Sequence, residues 1–410
     1  MGQETQVTPW EPFFDPLDDA LWARGSDVDW LKGTWVHAYT HPASLHERHP
    51  FIPVTIKQAE HLVRRYPEQV LAILGSLLSW RVCTVDQLVA GLAADVDGIE
   101  PFHRDAPPVW GALLRLGVID VGFSRTEFLE GRRINQVWVA MGSEVMLTRR
   151  ITAILGVPAW MRDVLTDGKF GQMRTHARHN TLTNHVALTA AHDSRFRFVG
   201  GDGWGGFRGI DPQAVAEIGS AGRQSADMIG FTRDGVTMAL ELQIHATGVG
   251  KKLAAWSKLL AYSPMRRRGI LCVWLQAPVS AGIYERFDKA FDEASRFAEM
   301  PMGDPSVFSR MGYARWDEWY DGHACPTPQW GEYVDMYGTR RSVFDPAWQA
   351  TCPTVSDVDV IQDWGWRLMD ERIKAAWGWD VSRWAKPDAL RGGFYGFVGH
   401  DITTRKEERP

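Results

Sequence analysis

The chain is poor in cysteine. Of its 410 residues only Cys83, Cys272, Cys325 and Cys352 are cysteines, and no two stand at a metal-ligand spacing. That scatter argues against a thiolate zinc module and a disulfide-stapled secreted scaffold, and predicts reduced thiols in a cytoplasmic protein. No run of apolar residues is long enough to cross a bilayer, and the first residues lack a secretory pattern, so no membrane partner is expected. A basic excess is missing too: 45 Lys and Arg against 50 Asp and Glu give a net charge of −5. Any contact with nucleic acid must then come from local patches rather than from the field of the whole molecule. Neither an internal repeat nor a low-complexity tract is present.

One absence is local and informative. Between Leu242 and Tyr284 there is no acidic residue, against six Lys or Arg. Just before this stretch lie two apolar runs that carry isolated carboxylates. Gln224–Phe231 places Asp227 at the mouth of a strand, and a turn signal follows at Arg233-Asp234-Gly235. Val236–Ile244 is a second strand, whose alternation puts Glu241 and Gln243 on one face, where a hairpin partner brings Asp227 alongside. Gly250–Leu260 reads as a helix with Leu253, Trp256, Leu259 and Leu260 on one stripe, and with Lys251, Lys252 and Lys258 off it. Arg266, Arg267 and Arg268 lead into a third strand, Ile270–Leu275. Two carboxylates on a hairpin with a positive helix alongside suit a divalent metal next to a phosphate.

Around this centre the length allows two or three domains with real cores. Residues 1–60, acidic and rich in aromatics and Pro, read as an irregular arm. Residues 61–150 carry three helical patterns. The first starts at Pro67, the second is capped by Thr84, and the third opens at Pro107-Pro108 and closes at Gly117. Strand-like runs at 118–123 and 134–139 follow, joined by a polar loop ending in Arg132-Arg133. That is the order of a winged helix-turn-helix, which sets its third helix in the major groove and its wing on the backbone. His103, Arg104, Arg115, Arg132 and Arg133 are the candidate DNA contacts there, and Lys258, Arg266, Arg267 and Arg268 are those near the central hairpin. The alternative is a winged helix used for protein contact.

Residues 145–180 read as a basic linker, Asn180–His192 as a helix, and 195–199 as a strand. The glycine-rich loop 200–207 has no phosphate-loop lysine and matches no dinucleotide fingerprint. Beyond residue 281, a helix around Tyr284–Ala298 precedes a Trp-rich region reaching residue 410, a candidate surface for self-association or a protein partner. Packing is the favoured role of its tryptophans, because no excess of basic residues accompanies them.

The series helix (180–192), strand, strand with Asp227, strand with Glu241-x-Gln243, helix and strand is the αβββαβ order of the PD-(D/E)xK nuclease core. With the preceding winged helix it resembles the replication-relaxation family of plasmid and mobile-element proteins, a grouping similar to the MobC-type relaxases. The resemblance covers residues 61–280. It implies a multi-domain α/β protein with a winged helix at 61–150 and a nuclease-like αβββαβ domain at 170–280, followed by the Trp-rich region at 281–410 read from composition. The family's Arg-Pro-Asp is matched more loosely by Arg223 through Asp227, and its second carboxylate by Glu241. The lysine expected two residues later is Gln243, and Lys251 or Lys252 is placed to stand in for it.

The implied chemistry is phosphodiester hydrolysis, with Asp227 and Glu241 holding Mg²⁺ or Mn²⁺ and a lysine stabilising developing charge. Gln243 is placed to orient water but supplies no charge. The competing reading makes Asp227 a turn residue and Glu241 the ion-pair partner of Lys251 or Lys252. The functional expectation is a metal-dependent DNA nicking or cleaving protein of a plasmid, phage or integrative element. The alternatives are a non-catalytic replication initiator or regulator on a degenerate core, and a structural partner without DNA affinity.

Overall fold

A computed structural model describes residues 15–17, 22, 28–92, 108–123, 128–129, 132–133, 136–156, 176–202, 214–232, 234, 236–245, 248–262, 270–278, 282–302 and 306–348. The chain is a mixed α/β protein of two compact units, residues 18–188 and residues 189–368, with short terminal stretches assigned to each.

The first unit opens with β1 (Asp29–Leu31), α1 (Gly33–Ala38), α2 (Pro42–Arg48) and α3 (Ile56–Arg65). Of the stretch expected to be irregular, residues 29–60 therefore fold in large part into regular elements. Thr55 starts α3 with a reciprocal capping box, its hydroxyl accepting from the Gln58 amide while the Gln58 side chain accepts from the Thr55 amide. Next come α4 (Pro67–Trp80), β2 (Val82–Thr84), α5 (Val85–Leu92) and α6 (Pro108–Arg115). Thr84 caps α5 in the same way, with Gln87 as its partner. Gly117 follows α6 with φ 73°, a conformation that favours glycine. The chain continues through β3 (Ile119–Phe123), a small ladder of β4 (Phe128–Leu129) and β5 (Arg132–Arg133), and β6 (Val137–Met141). The sheet order is β1-β3-β6-β2, antiparallel throughout.

The third helix differs from expectation. Val109, Trp110, Ala112, Leu113 and Leu114 of α6 are all buried. A Cβ at Gly111 would lie only 1.7 Å from the Phe51 carbonyl oxygen, so the segment between α2 and α3 rests directly on α6. Arg115 is 5% exposed, and its Nη1 donates to the carbonyls of Val36 and His37 at the end of α1. An Arg115 facing a DNA groove is thus corrected: the helices before residue 66 cover α6, and the guanidinium satisfies their backbone. Arg132 and Arg133 lie on β5, in the loop between β3 and β6, whereas His103 and Arg104 fall outside the described residues.

The expected basic linker contains α7 (Val145–Ile154), in which Arg150 pairs with Glu60 of α3 at 2.5 Å. After it, α8 (Ala177–His192) is a long helix whose residues 177–188 count with the first unit and whose remainder counts with the second. Polar groups fix the former part: Gln87 Nε2 donates to the Thr181 carbonyl (2.8 Å), Trp138 Nε1 to Thr181 Oγ1 (3.0 Å), and Asn184 Nδ2 to the Val82 carbonyl (2.8 Å).

The second unit continues from the last turn of α8 through β7 (Phe196–Gly201), α9 (Ala214–Ile218), a 3-10 turn (Gly219–Arg223), β8 (Met228–Thr232), β9 (Thr237–Gln243), α10 (Val249–Ala261) and β10 (Ile270–Gln276). It then adds α11 (Ile283–Met302), α12 (Ser306–Ser309), β11 (Met311–Arg315), α13 (Trp316–Trp319), β12 (Glu332–Asp335) and β13 (Arg340–Ser342). Seven strands form one sheet in the order β13-β12-β11-β10-β9-β8-β7. The ladder is antiparallel from β7 to β9, parallel across β9, β10 and β11, and antiparallel again to β13. Every residue of β9 and β10 is buried, as expected for parallel strands covered on both faces.

The region after residue 281 is therefore not separate, since three of its strands extend the same sheet. Its described tryptophans pack: Trp316 lies 4.5 Å from Tyr320 and Trp319 4.7 Å from Trp330, between ring centroids. Residues 349–410, the later part of the Trp-rich region, lie outside the described residues.

Candidate functional site

The site is assembled where β8 enters the sheet beside β9. The Asp227 amide donates to the Leu240 carbonyl (2.9 Å), and its Oδ2 accepts from the Leu242 amide (2.8 Å). These two bonds straddle Glu241 and pin the Asp227 backbone and carboxylate to its flanks. Glu241 is central to a wholly buried strand and only 1% exposed. Two donors from α10 meet it: Lys252 Nζ lies 2.9 Å from Oε2, and Trp256 Nε1 lies 2.7 Å from Oε1. Lys252 and Trp256 are four residues apart, so one helix face delivers both to the same carboxylate. Each Glu241 oxygen keeps a further lone pair for another donor or a cation.

The electrostatics follow from this crowding. Burial pushes the Glu241 carboxyl up, and the neighbouring Asp227 charge pushes it further, while Lys252 and the Trp256 hydrogen bond act against both; the result is about 7. Burial disfavours the Lys252 ammonium, but Glu241 and Asp227 outweigh it and hold its pKa above the ordinary lysine value.

Neighbouring strands extend the face. Parallel register sets Glu241 beside Trp274 and Gln243 beside Gln276, and on β11 Arg315 is in register with Gln276. Gln243 Nε2 donates to the His245 carbonyl, and its Oε1 is buried with no partner among the described residues. Gln276 is fully buried; its Nε2 points at Asp288 Oδ1 of α11 (3.4 Å), and its Oε1 likewise lacks a partner there. Asp288 in turn binds Arg315 Nη2 at 2.9 Å.

Of the residues expected from sequence, Asp227, Glu241, Gln243 and Lys252 come together. Lys251 is exposed and joins neither carboxylate, and Lys258, also exposed, lies farther along α10. Arg266, Arg267 and Arg268 lie outside the described residues. The Glu241–Lys252 pair is the contact that the competing structural reading anticipates, and the bond from the Leu242 amide to Asp227 anchors that carboxylate to the backbone.

Sequence reasoning missed Trp256 and Gln276. In sequence Trp256 reads as one member of an apolar stripe, although its spacing from Lys252 is a usable signal. Gln276 ends an apolar strand just as Gln243 ends its neighbour, a parity visible only once the two are known to run parallel. Among the described residues no three His, Cys, Asp or Glu gather to hold a metal, so the carboxylates form a pair rather than a cluster. Comparison with protein-family models, curated proteins and solved structures finds no match to this chain.

Proposed function

We propose that the protein is a metal-dependent DNA nicking or cleaving protein of the replication-relaxation type, acting in the replication or transfer of a mobile element. The observation that carries this reading is the convergence of Asp227, Glu241 and Lys252. Two carboxylates, one just before β8 and one on β9, meet one ammonium from α10 in the mixed sheet of the second unit, which supports a reading as a nuclease-like core. Lys252 reaches from α10 to the carboxylate that Gln243, as a neutral residue, cannot serve with charge.

The residue set suits Mg²⁺ or Mn²⁺. A buried carboxylate raised to about 7 beside a second carboxylate is only partly compensated by Lys252 and Trp256, and a hard cation bound through oxygen would complete the compensation. Asp227 and Glu241 would hold the ion, which when bound polarises the phosphate and makes a water more acidic. Lys252 places a positive charge beside the phosphoryl oxygens as negative charge develops on them. Water adds to phosphorus, one P–O ester bond breaks, and the departing oxygen takes up a proton.

For DNA contact the first unit offers three helices and a hairpin in winged-helix order. With α6 covered, the binding element is the β4–β5 wing bearing Arg132 and Arg133, whose contacts to phosphate position the duplex rather than read it. The test is incubation of the purified chain with supercoiled plasmid, with and without Mn²⁺. Metal-dependent conversion to nicked or linear forms supports the reading. DNA binding without cutting on any supercoiled or single-stranded substrate favours a non-catalytic replication initiator or regulator.

A further inference from the structure

Gln276 is the most unusual polar residue on this face. It is fully buried at the end of β10, yet its Oε1 has no hydrogen-bond partner among the described residues. Its orientation is chemically fixed: the nearby Asp288 carboxylate can only accept, so the amide nitrogen must face Asp288 and the oxygen must face away. Gln243, its register neighbour on β9, repeats the pattern, its nitrogen committed to the His245 carbonyl and its buried Oε1 unpartnered. An unpartnered buried acceptor is destabilising, and two in neighbouring register call for a shared donor.

Apart from the Lys252 and Trp256 donors on Glu241, the groups on this face are the two unpartnered amide oxygens and the carboxylates of Asp227 and Glu241, all acceptors. An anion such as phosphate does not complement them. A hydrated divalent cation does, because metal-bound water is a pure donor and Mg²⁺ keeps several of its waters. We propose that Gln276 and Gln243 are positioning residues that accept hydrogen bonds from the water ligands of a divalent cation held by Asp227 and Glu241. This rests on the cation reading above and adds a hydration shell built from β10. Two amide oxygens fix how those waters turn, and hence where their lone pairs face.

The test is a Mn²⁺ titration of the full chain without DNA, followed by electron paramagnetic resonance and by water-proton relaxation. The wild-type chain binds Mn²⁺, and Gln276→Met, close in volume and without an acceptor oxygen, weakens binding 10–100-fold, the range usual for outer-shell partners. Its relaxation signal per bound ion also changes, which a purely structural role would not produce. Gln243→Met gives the same loss and stands in if Gln276→Met does not fold. Unchanged affinity and relaxation in a folded variant overturn the proposal while leaving the cation reading intact. Failure of the wild-type chain to bind Mn²⁺ removes the cation reading itself, and the proposal with it.

Discussion

Replacing Trp256 by phenylalanine isolates the electrostatics of Glu241. The substitution keeps the ring in the core and deletes one hydrogen bond, from indole Nε1 to Glu241 Oε1. The loss depends on the charge of the acceptor. A hydrogen bond to an ionised group contributes about 1.5–3 kcal/mol and one between neutral groups about 0.5–1.5. Glu241 titrates at about 7 in the folded chain against 4.5 ordinarily. The folded state therefore holds this proton more tightly than the unfolded state, and stability falls as pH rises from the lower value through the upper one. Removing the indole donor raises the folded value further and steepens that fall. At pH 5 the carboxyl is protonated and the variant loses a neutral bond; at pH 8.5 it loses a charge-assisted one. The loss at pH 8.5 exceeds that at pH 5 by about 1–2 kcal/mol, a further drop of roughly 2–8 °C in the melting transition for a unit of this size. Packing changes are the same at both pH values and cancel in the difference. Differential scanning calorimetry at the two pH values measures it, and an equal drop at both would refute the assignment of an ionised, indole-bound Glu241.

The same titration governs the cation. Below about 7 a metal must displace the Glu241 proton, so Mn²⁺ affinity rises about tenfold per pH unit and levels off above it; affinity independent of pH between 5.5 and 8 contradicts this. In the first unit, Arg132→Ala with Arg133→Ala lowers duplex affinity for every sequence and reduces the salt slope by roughly 1–2, measured by fluorescence anisotropy over a range of salt. Arg115→Met instead lowers the melting temperature and leaves the salt slope alone, because its guanidinium serves the Val36 and His37 carbonyls. A fall in salt slope for Arg115→Met would return that residue to the interface.

Much of the second unit was legible because its signals are local. Alternation placed Glu241 and Gln243 on one face, a turn signal between two apolar runs announced the pairing of β8 with β9, and the 3.6-residue stripe marked α10. In the first unit Thr84 announced its helix, and Gly117 the end of another. What escaped depends on long-range packing. Nothing local in Val109–Arg115 distinguishes a groove-reading helix from one covered by the helices before it. The close approach of Phe51 to Gly111 is a tertiary fact. Acidic and aromatic composition at 1–60 suggests irregularity, but in the described part capping at Thr55 and burial of Val36, Leu45 and Ile52 outweigh it. The strands after residue 306 are short and join a sheet begun a hundred residues earlier, so no periodicity within them predicts the pairing.

The central claim is that water, not a protein side chain, breaks a DNA phosphodiester at Asp227 and Glu241. Tyr262 is the tyrosine nearest the site in sequence. It follows the last turn of α10, ten residues beyond Lys252, or about 15 Å along the helix axis. The decisive measurement runs supercoiled plasmid, Mn²⁺ and protein through a denaturing gel that resolves free from protein-linked DNA. The account predicts nicked DNA with no attached protein, loss of cutting by several hundred-fold in Asp227→Ala and Glu241→Ala from about 3–4 kcal/mol of lost transition-state stabilisation, and near-normal cutting by Tyr262→Phe. A detergent-resistant protein–DNA adduct that disappears in Tyr262→Phe, or undiminished cutting by the carboxylate variants, would contradict it.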